Sequence, residues 1–288
     1  MLKQRLIFGT LMAIAFVGIL LTGAYLDGSI NSANENKPIQ ATLLCILIAL
    51  LAIPAQLEMA SLVRTKNASL FTPLAIVASV LLATSWYVKQ FFPNHPDFQT
   101  YYIAFTAAFT LLAAFFYQAR KFGTQGTVIN CSVTFFSVFY LGFLSSFVLG
   151  IRVDFGLWPL FMFIFVVKSS DIGAYTLGKL FGKHKFSPRI SPGKTWEGMA
   201  GAVLFAAVVS VIFSNVYNIM NTGPAILFGI LFAFLGQLGD LAESMIKRDV
   251  EIKDSSKTLP GFGGVLDVID SPLATAPIAY AFFMLAAY

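Results

Sequence analysis

Charge is scarce in this chain. Only 11% of its 288 residues are Asp, Glu, Lys or Arg, against 57% hydrophobic. A soluble domain carries about 25% charged residues. The apolar residues also fall in long runs, so a bilayer is the better solvent. Cysteine is scarcer still. Cys45 and Cys131 both lie inside apolar runs. Two such residues exclude a disulfide framework and a zinc site, and are expected to face lipid or pack. The net charge of +5 is a small excess. Membrane topology accounts for it, so nucleic acid is not an expected partner. No internal repeat or low-complexity linker interrupts the chain.

What is present is a series of apolar stretches near the ~20 residues that a spanning helix needs. They cover residues 6–25, 41–60, 70–87, 101–117, 127–149, 155–175, 198–217, 224–244 and 272–288. The expected fold is an all-α, polytopic transmembrane protein of about nine spans. The third and last stretches are the shortest, so eight is the alternative. The basic start before the first run has no small-residue cleavage site after it, which favours an uncleaved first helix.

Basic residues orient the chain. With the N-terminus in the cytosol, the inner segments hold Lys3, Arg5, Arg64, Lys66, Arg120, Lys121, Lys179, Lys183, Lys185, Arg189, Lys194, Lys247, Arg248, Lys253 and Lys257. The outer segments hold Lys37, Lys89 and Arg152, and Lys168 lies within a span. Residues 1–150 read as a transmembrane scaffold without assigned chemistry. Residues 151–288 read as a catalytic transmembrane region with two long cytosolic loops, at 176–197 and 245–271.

The acidic residues gather in this second region. Asp240, Glu243, Asp249, Glu251, Asp254, Asp267 and Asp270 are seven of the chain's fourteen. Asp171 and Asp240 follow long apolar runs, and an intramembrane carboxylate marks a functional site by default. Lys168 lies one helical turn from Asp171 and is its expected partner. Gln237, Asp240, Ser244 and Lys247 fall at spacings of three and four, with Glu243 beside them, and form one polar helix face. Ser271-Pro272 reads as a helix start, with Asp267 and Asp270 just ahead of it. Pro260-Gly261-Phe262-Gly263-Gly264 is a turn-rich run whose backbone amides suit phosphate. Gly193-Lys194-Thr195 suggests a P-loop, but Pro188 stands where its earlier glycine belongs. Lys194 remains a point-charge contact for phosphate.

Together these segments resemble the phosphatidate cytidylyltransferase family, also called CDP-diacylglycerol synthases. The stretch from Ser244 to Asp270 carries the family's Ser-x-x-Lys-Arg, Lys-Asp-Ser, Leu-Pro-Gly, Gly-Gly and Asp-x-x-Asp elements in order. Gly239 to Glu243, Asp171 to Tyr175, Gly182-Lys-His184 and Ile190 to Gly198 are also similar to it. The likeness covers roughly the last 40% of the chain. Phe262 and Val268 depart from it, standing where the family usually has histidine and arginine. Either activity is reduced, or a subfamily supplies those groups elsewhere.

The resemblance implies transfer of the cytidylyl group from CTP to phosphatidate, giving CDP-diacylglycerol and pyrophosphate with Mg²⁺, with a second cation left open. It makes Asp240, Glu243, Asp267 and Asp270 metal ligands. Lys247, Arg248, Lys253, Lys257 and Lys194 would contact phosphates. Asp254 would orient a lysine or a metal-bound water. Ser191 and the Gly263-Gly264 backbone would line the nucleotide pocket, and Asp171 would support the lipid entry. Expected partners are CTP, phosphatidate and membrane lipid; a homodimer is compatible with the sequence. The expected location is the bacterial inner membrane, with the site facing the cytosol. Alternatives are a CTP-dependent polyprenol or phytol kinase, a transporter, and an inactive relative that binds lipid or nucleotide.

Overall fold

A computed structural model describes residues 2–30, 38–252, 254–256, 258–259, 261 and 263–286. The fold is helical: α1 (Leu2–Asp27), α2 (Thr42–Arg64), α3 (Thr72–Ala83), α4 (Ser85–Lys89), α5 (Phe98–Lys121), α6 (Thr127–Val138), α7 (Leu144–Asp154), α8 (Leu157–Phe181), α9 (Trp196–Tyr217), α10 (Thr222–Asp249) and α11 (Leu266–Ala286). A π-helical turn at Phe139–Phe143 joins α6 to α7. Between α8 and α9 the strands β1 (Lys185–Ser187) and β2 (Ser191–Thr195) pair antiparallel. Among the described residues, eight helices are long and apolar enough to cross a membrane. This is an integral membrane protein. The third apolar stretch is two helices, α3 and α4, broken at Thr84. Together they cover about 27 Å of helix, close to the ~30 Å hydrocarbon thickness.

Both long loops are shorter than expected, because α8 runs to Phe181 and α10 to Asp249. The expected helix start at Ser271-Pro272 is a correction. α11 begins at Leu266, and Pro272 and Pro277 lie inside it. Its N-terminus is instead satisfied by a distant carboxylate, described below.

The chain forms two compact bodies. One comprises Met1–Val153 with Asp254–Val268; the other comprises Asp154–Lys253 with Ile269–Tyr288. The segment 254–268, grouped by sequence with the C-terminal region, thus belongs to the first body.

Polar side chains hold the first body together where lipid supplies no partners. The buried Gln56 amide donates to Ser79 Oγ at 2.7 Å and to the Ser137 carbonyl at 3.2 Å. Asn130 takes the Ser69 amide at 2.8 Å and donates to Gln118 Oε1 at 3.0 Å. The fully buried Arg152 reaches Ser29 Oγ at 2.5 Å and Asp27 at 3.5 Å. Cys45 and Cys131 are free and buried, so they pack.

The second body depends on close helix approach. A Cβ on Gly201 of α9 would fall against the Gly173 carbonyl and 2.8 Å from Leu177 Cβ on α8. One on Gly198 would lie 2.8 Å from the Ala174 carbonyl. Small residues at such crossings let backbones touch, which replaces the hydrophobic drive that lipid removes. Gly201→Leu should therefore lower the stability of the detergent-solubilised protein by about 1–3 kcal/mol or prevent folding. Thermal unfolding checks this. Gly18→Leu, where nothing lies within 4 Å, should leave the unfolding midpoint within a degree or two.

Candidate functional site

In the second body, α10 carries Gln237, Asp240, Glu243 and Lys247 on one inward face, as its spacing requires. Gln237, Glu243 and Lys247 are buried and Asp240 is half-buried. Asp270 is buried in the second turn of α11. One carboxylate oxygen from each of Asp240, Glu243 and Asp270 lies within 4.8 Å of the others. Three hard anionic oxygens at this separation could hold a small divalent cation.

Lysines are interleaved with these acids. Lys194 Nζ lies 2.7 Å from Asp240 Oδ2 and donates to the Gln237 carbonyl at 2.9 Å. Lys247 Nζ lies 2.5 Å from Glu243 Oε2, one turn away on α10. The expected Lys168–Asp171 pair is present at 3.8 Å, and Gln237 Nε2 donates to Asp171 at 3.1 Å. Three of the four acids of this layer therefore have a lysine. Among the described residues, none stands at ion-pair distance from Asp270, whose Oδ1 accepts its own neighbour's amide, Ser271 N–H, at 2.6 Å.

The hairpin presents Lys194. Thr195 caps α9 by accepting the Gly198 amide at 3.1 Å. Glu197 in the first turn ties down the start of the loop, accepting the Lys183 amide at 3.1 Å and lying 2.6 Å from His184 Nδ1. The Arg248 guanidinium, exposed, bonds the Ile190 carbonyl at 3.3 Å and the Ile252 carbonyl at 3.1 Å. It holds the chain just before Ser191, itself half-buried in β2.

The other expected residues lie in the first body, and their surroundings differ from expectation. Asp267 Oδ2 accepts Ser255 N–H at 3.0 Å, Ser255 Oγ–H at 2.9 Å and Gly264 N–H at 2.7 Å. The last bond reaches back over three residues at a helix start, as in a capping box. Asp267 thus has a loop-ordering role that spacing alone did not show. Gly263, at φ +100°, faces the same carboxylate; a Cβ there would stand 2.5 Å from Asp267 Oδ2 and 3.2 Å from Asp254 Cβ. A Cβ on Gly264 would strike Ser255 Oγ and Glu58. The two glycines admit the chain's own carboxylates to their backbone. Asp254 is exposed, and Val268 is half-buried in the first turn of α11. Lys253, Lys257 and Phe262 lie outside the described residues.

Glu58 is the residue that sequence reasoning passed over. It is buried on α2, in the region assigned no chemistry. Its carboxylate accepts from Ser255 Oγ (3.0 Å), Ser256 Oγ (2.7 Å), Thr258 Oγ1 (2.8 Å), Val265 N–H (3.0 Å) and Leu266 N–H (3.0 Å). It therefore caps α11 and folds the signature loop over itself. The signal is the one that marks Asp171 and Asp240, an acid inside an apolar run.

Fold and site together define a polytopic helical membrane protein with a layer of converging carboxylates and lysines. A sequence model described as the cytidylyltransferase family matches residues 3–286, and the chain belongs to that family. The phosphatidate cytidylyltransferase of Chlamydia muridarum is 30% identical over 296 residues, covering 98% of this chain and 92% of that protein. The proteins of the same name from Haemophilus influenzae and Bacillus subtilis are 41% and 42% identical. Those alignments cover 44% and 52% of this chain, and 46% and 56% of the respective relatives.

Glu58→Ala would leave the buried Val265 and Leu266 amides without their acceptor and remove a partner from three hydroxyls. Each buried group left unmade costs about 1–3 kcal/mol, so the variant should lose at least about 3 kcal/mol and expose the loop. Limited proteolysis should then cut between Ile252 and Leu266 in the variant and spare the parent.

Proposed function

We infer that this chain transfers the cytidylyl group of CTP to phosphatidate, releasing pyrophosphate and leaving CDP-diacylglycerol in the membrane. Family membership supports the reaction type, and the names of the relatives support the acceptor. The observation that carries the site assignment is the convergence of Asp240, Glu243 and Asp270, with Asp270 buried and no lysine or arginine among the described residues at ion-pair distance. A buried carboxylate is costly unless its charge is met. The donor set fits Mg²⁺: all oxygen, anionic and close. Bound there, the ion would neutralise phosphate charge and polarise the phosphoryl group under attack.

The residues supply the rest. A phosphate oxygen of phosphatidate forms a bond to the α-phosphorus of CTP, and the bond from that phosphorus to the bridging oxygen of pyrophosphate breaks. No base is needed, because a phosphate monoester is largely ionised at pH 7, its second pKa being about 6. Both reactants are anions, so the demand is for positive charge and alignment. Lys194 and Lys247 exchange their carboxylate partners for phosphate oxygens when substrate arrives, and Arg248 and the hairpin hold Ser191 beside the nucleotide. Asp171 and Gln237 keep the α8 and α10 faces in register at the lipid side. Glu58 and Asp267 position the loop that carries Asp254, Gly263 and Gly264. Lys253 and Lys257 join the phosphate contacts. The basic-residue asymmetry supports nine crossings, with α3 and α4 forming the third, a cytosolic N-terminus and a cytosolic site at the inner membrane.

CTP labelled in the cytosine base tests this with the purified protein. The label should enter the lipid fraction with phosphatidate and Mg²⁺; lipid labelled only from γ-phosphate would instead mark a lipid kinase. Asp240→Asn and Asp270→Asn should each lower turnover by more than about 100-fold, since even outer partners of metal ligands cost 10–100-fold. EDTA should abolish turnover and added Mg²⁺ restore it. Undiminished product from either variant would remove the site.

A further inference from the structure

An apolar groove of about 550 Å³ runs between α9 and α10 on the face that the bilayer bathes. Trp196, Ala200, Leu204 and Ala207 line it from α9, and Ile230 and Phe234 from α10. Its deep end is closed where the two helices touch; a Cβ on Gly229 would lie 2.7 Å from the Ala207 amide nitrogen. From there its lining runs along α9 to Trp196. That end meets the polar layer: Lys194 is two residues before Trp196, and Gln237 is one turn beyond Phe234 on α10. The Lys194 ammonium bridges the Gln237 carbonyl and Asp240 there.

Length selects the occupant. From Trp196 to Ala207 a helix advances about 16 Å, half of the ~30 Å hydrocarbon core. That is the depth of one monolayer, too short for a spanning helix of a partner. Trp196 is half-exposed and packs edge-on against Phe186, an aromatic pair suited to the headgroup level. We propose that this groove seats one acyl chain of an inner-leaflet phosphatidate, with its phosphate drawn to Lys194 at the mouth. The groove then does what a diffuse lipid annulus cannot: it fixes the depth and heading of the attacking headgroup relative to Asp240. It rests on the cytidylyltransferase reading, which it supplies with a lipid subsite.

The test compares long-chain phosphatidate with a soluble short-chain analogue whose acyl tails end before Leu204. Ala200→Phe and Leu204→Trp should each lower the ratio of long-chain to short-chain kcat/KM by about tenfold. Ile212→Phe, elsewhere on the lipid face of α9, should leave it unchanged. An unchanged ratio in both groove variants, whether both substrates slow together or neither does, overturns the proposal. Independently, a photoactivatable residue at position 204 in phosphatidylethanolamine vesicles containing phosphatidate should give a phosphatidate adduct above that lipid's share of the vesicle. Adducts in proportion to bulk lipid, or a protein–protein adduct of doubled mass, overturn it too. If the parent converts neither the long-chain nor the short-chain phosphatidate, the reaction assignment fails; the cross-link still reports the occupant, so the two failures are separable.

Discussion

A carboxylate buried in a membrane helix must be supplied with donors or a cation, because lipid offers neither. Glu58 is supplied with five donors, two of them the amides of Val265 and Leu266 at the start of α11. Through that one side chain the signature loop acquires its path and α11 its first turn. The rest of the loop follows from the same need. Asp267 takes the Gly264 amide and both donors of Ser255, and Gly263 and Gly264 lack side chains that would stand in the way.

The second body solves the same problem by pairing. Lys168, Lys194 and Lys247 each stand against a carboxylate, in a layer where glycine contacts hold α8 against α9. Such a layer is held together by charge, and in the reaction proposed here substrate would borrow it. A lysine on a carboxylate is already desolvated and aimed, so exchanging that partner for a phosphate oxygen costs less reorganisation than recruiting a hydrated side chain. Asp270 is the exception, since among the described residues no lysine stands at ion-pair distance from it and its Oδ1 accepts the Ser271 amide.

Much of the site was legible because helical spacing carries it. Gln237, Asp240 and Lys247 share a face in the structure as their intervals required, with Glu243 beside them, and Lys168 meets Asp171 one turn away. The start of α11 was not legible in the sequence for a local reason. Ser271-Pro272 looks like a helix start, whereas the actual start at Leu266 is set by Glu58, nearly 200 positions earlier, and no local rule reports such a partner. The loops were overestimated for a related reason: charged residues at helix ends look like loop, yet α10 continues through Lys247 and Arg248 because its inward face is paired and its outward face reaches water.

By itself the sequence determined the solvent, the helical class and the reactive groups. Hydropathy acts over about 20 adjacent residues, and helical periodicity places neighbours at three and four without reference to the rest of the chain. Tertiary structure alone decided which carboxylates take donors from distant segments and which converge on one another. That choice depends on donors that arrive from segments distant in the chain, and a carboxylate shows its role only once those donors are in place.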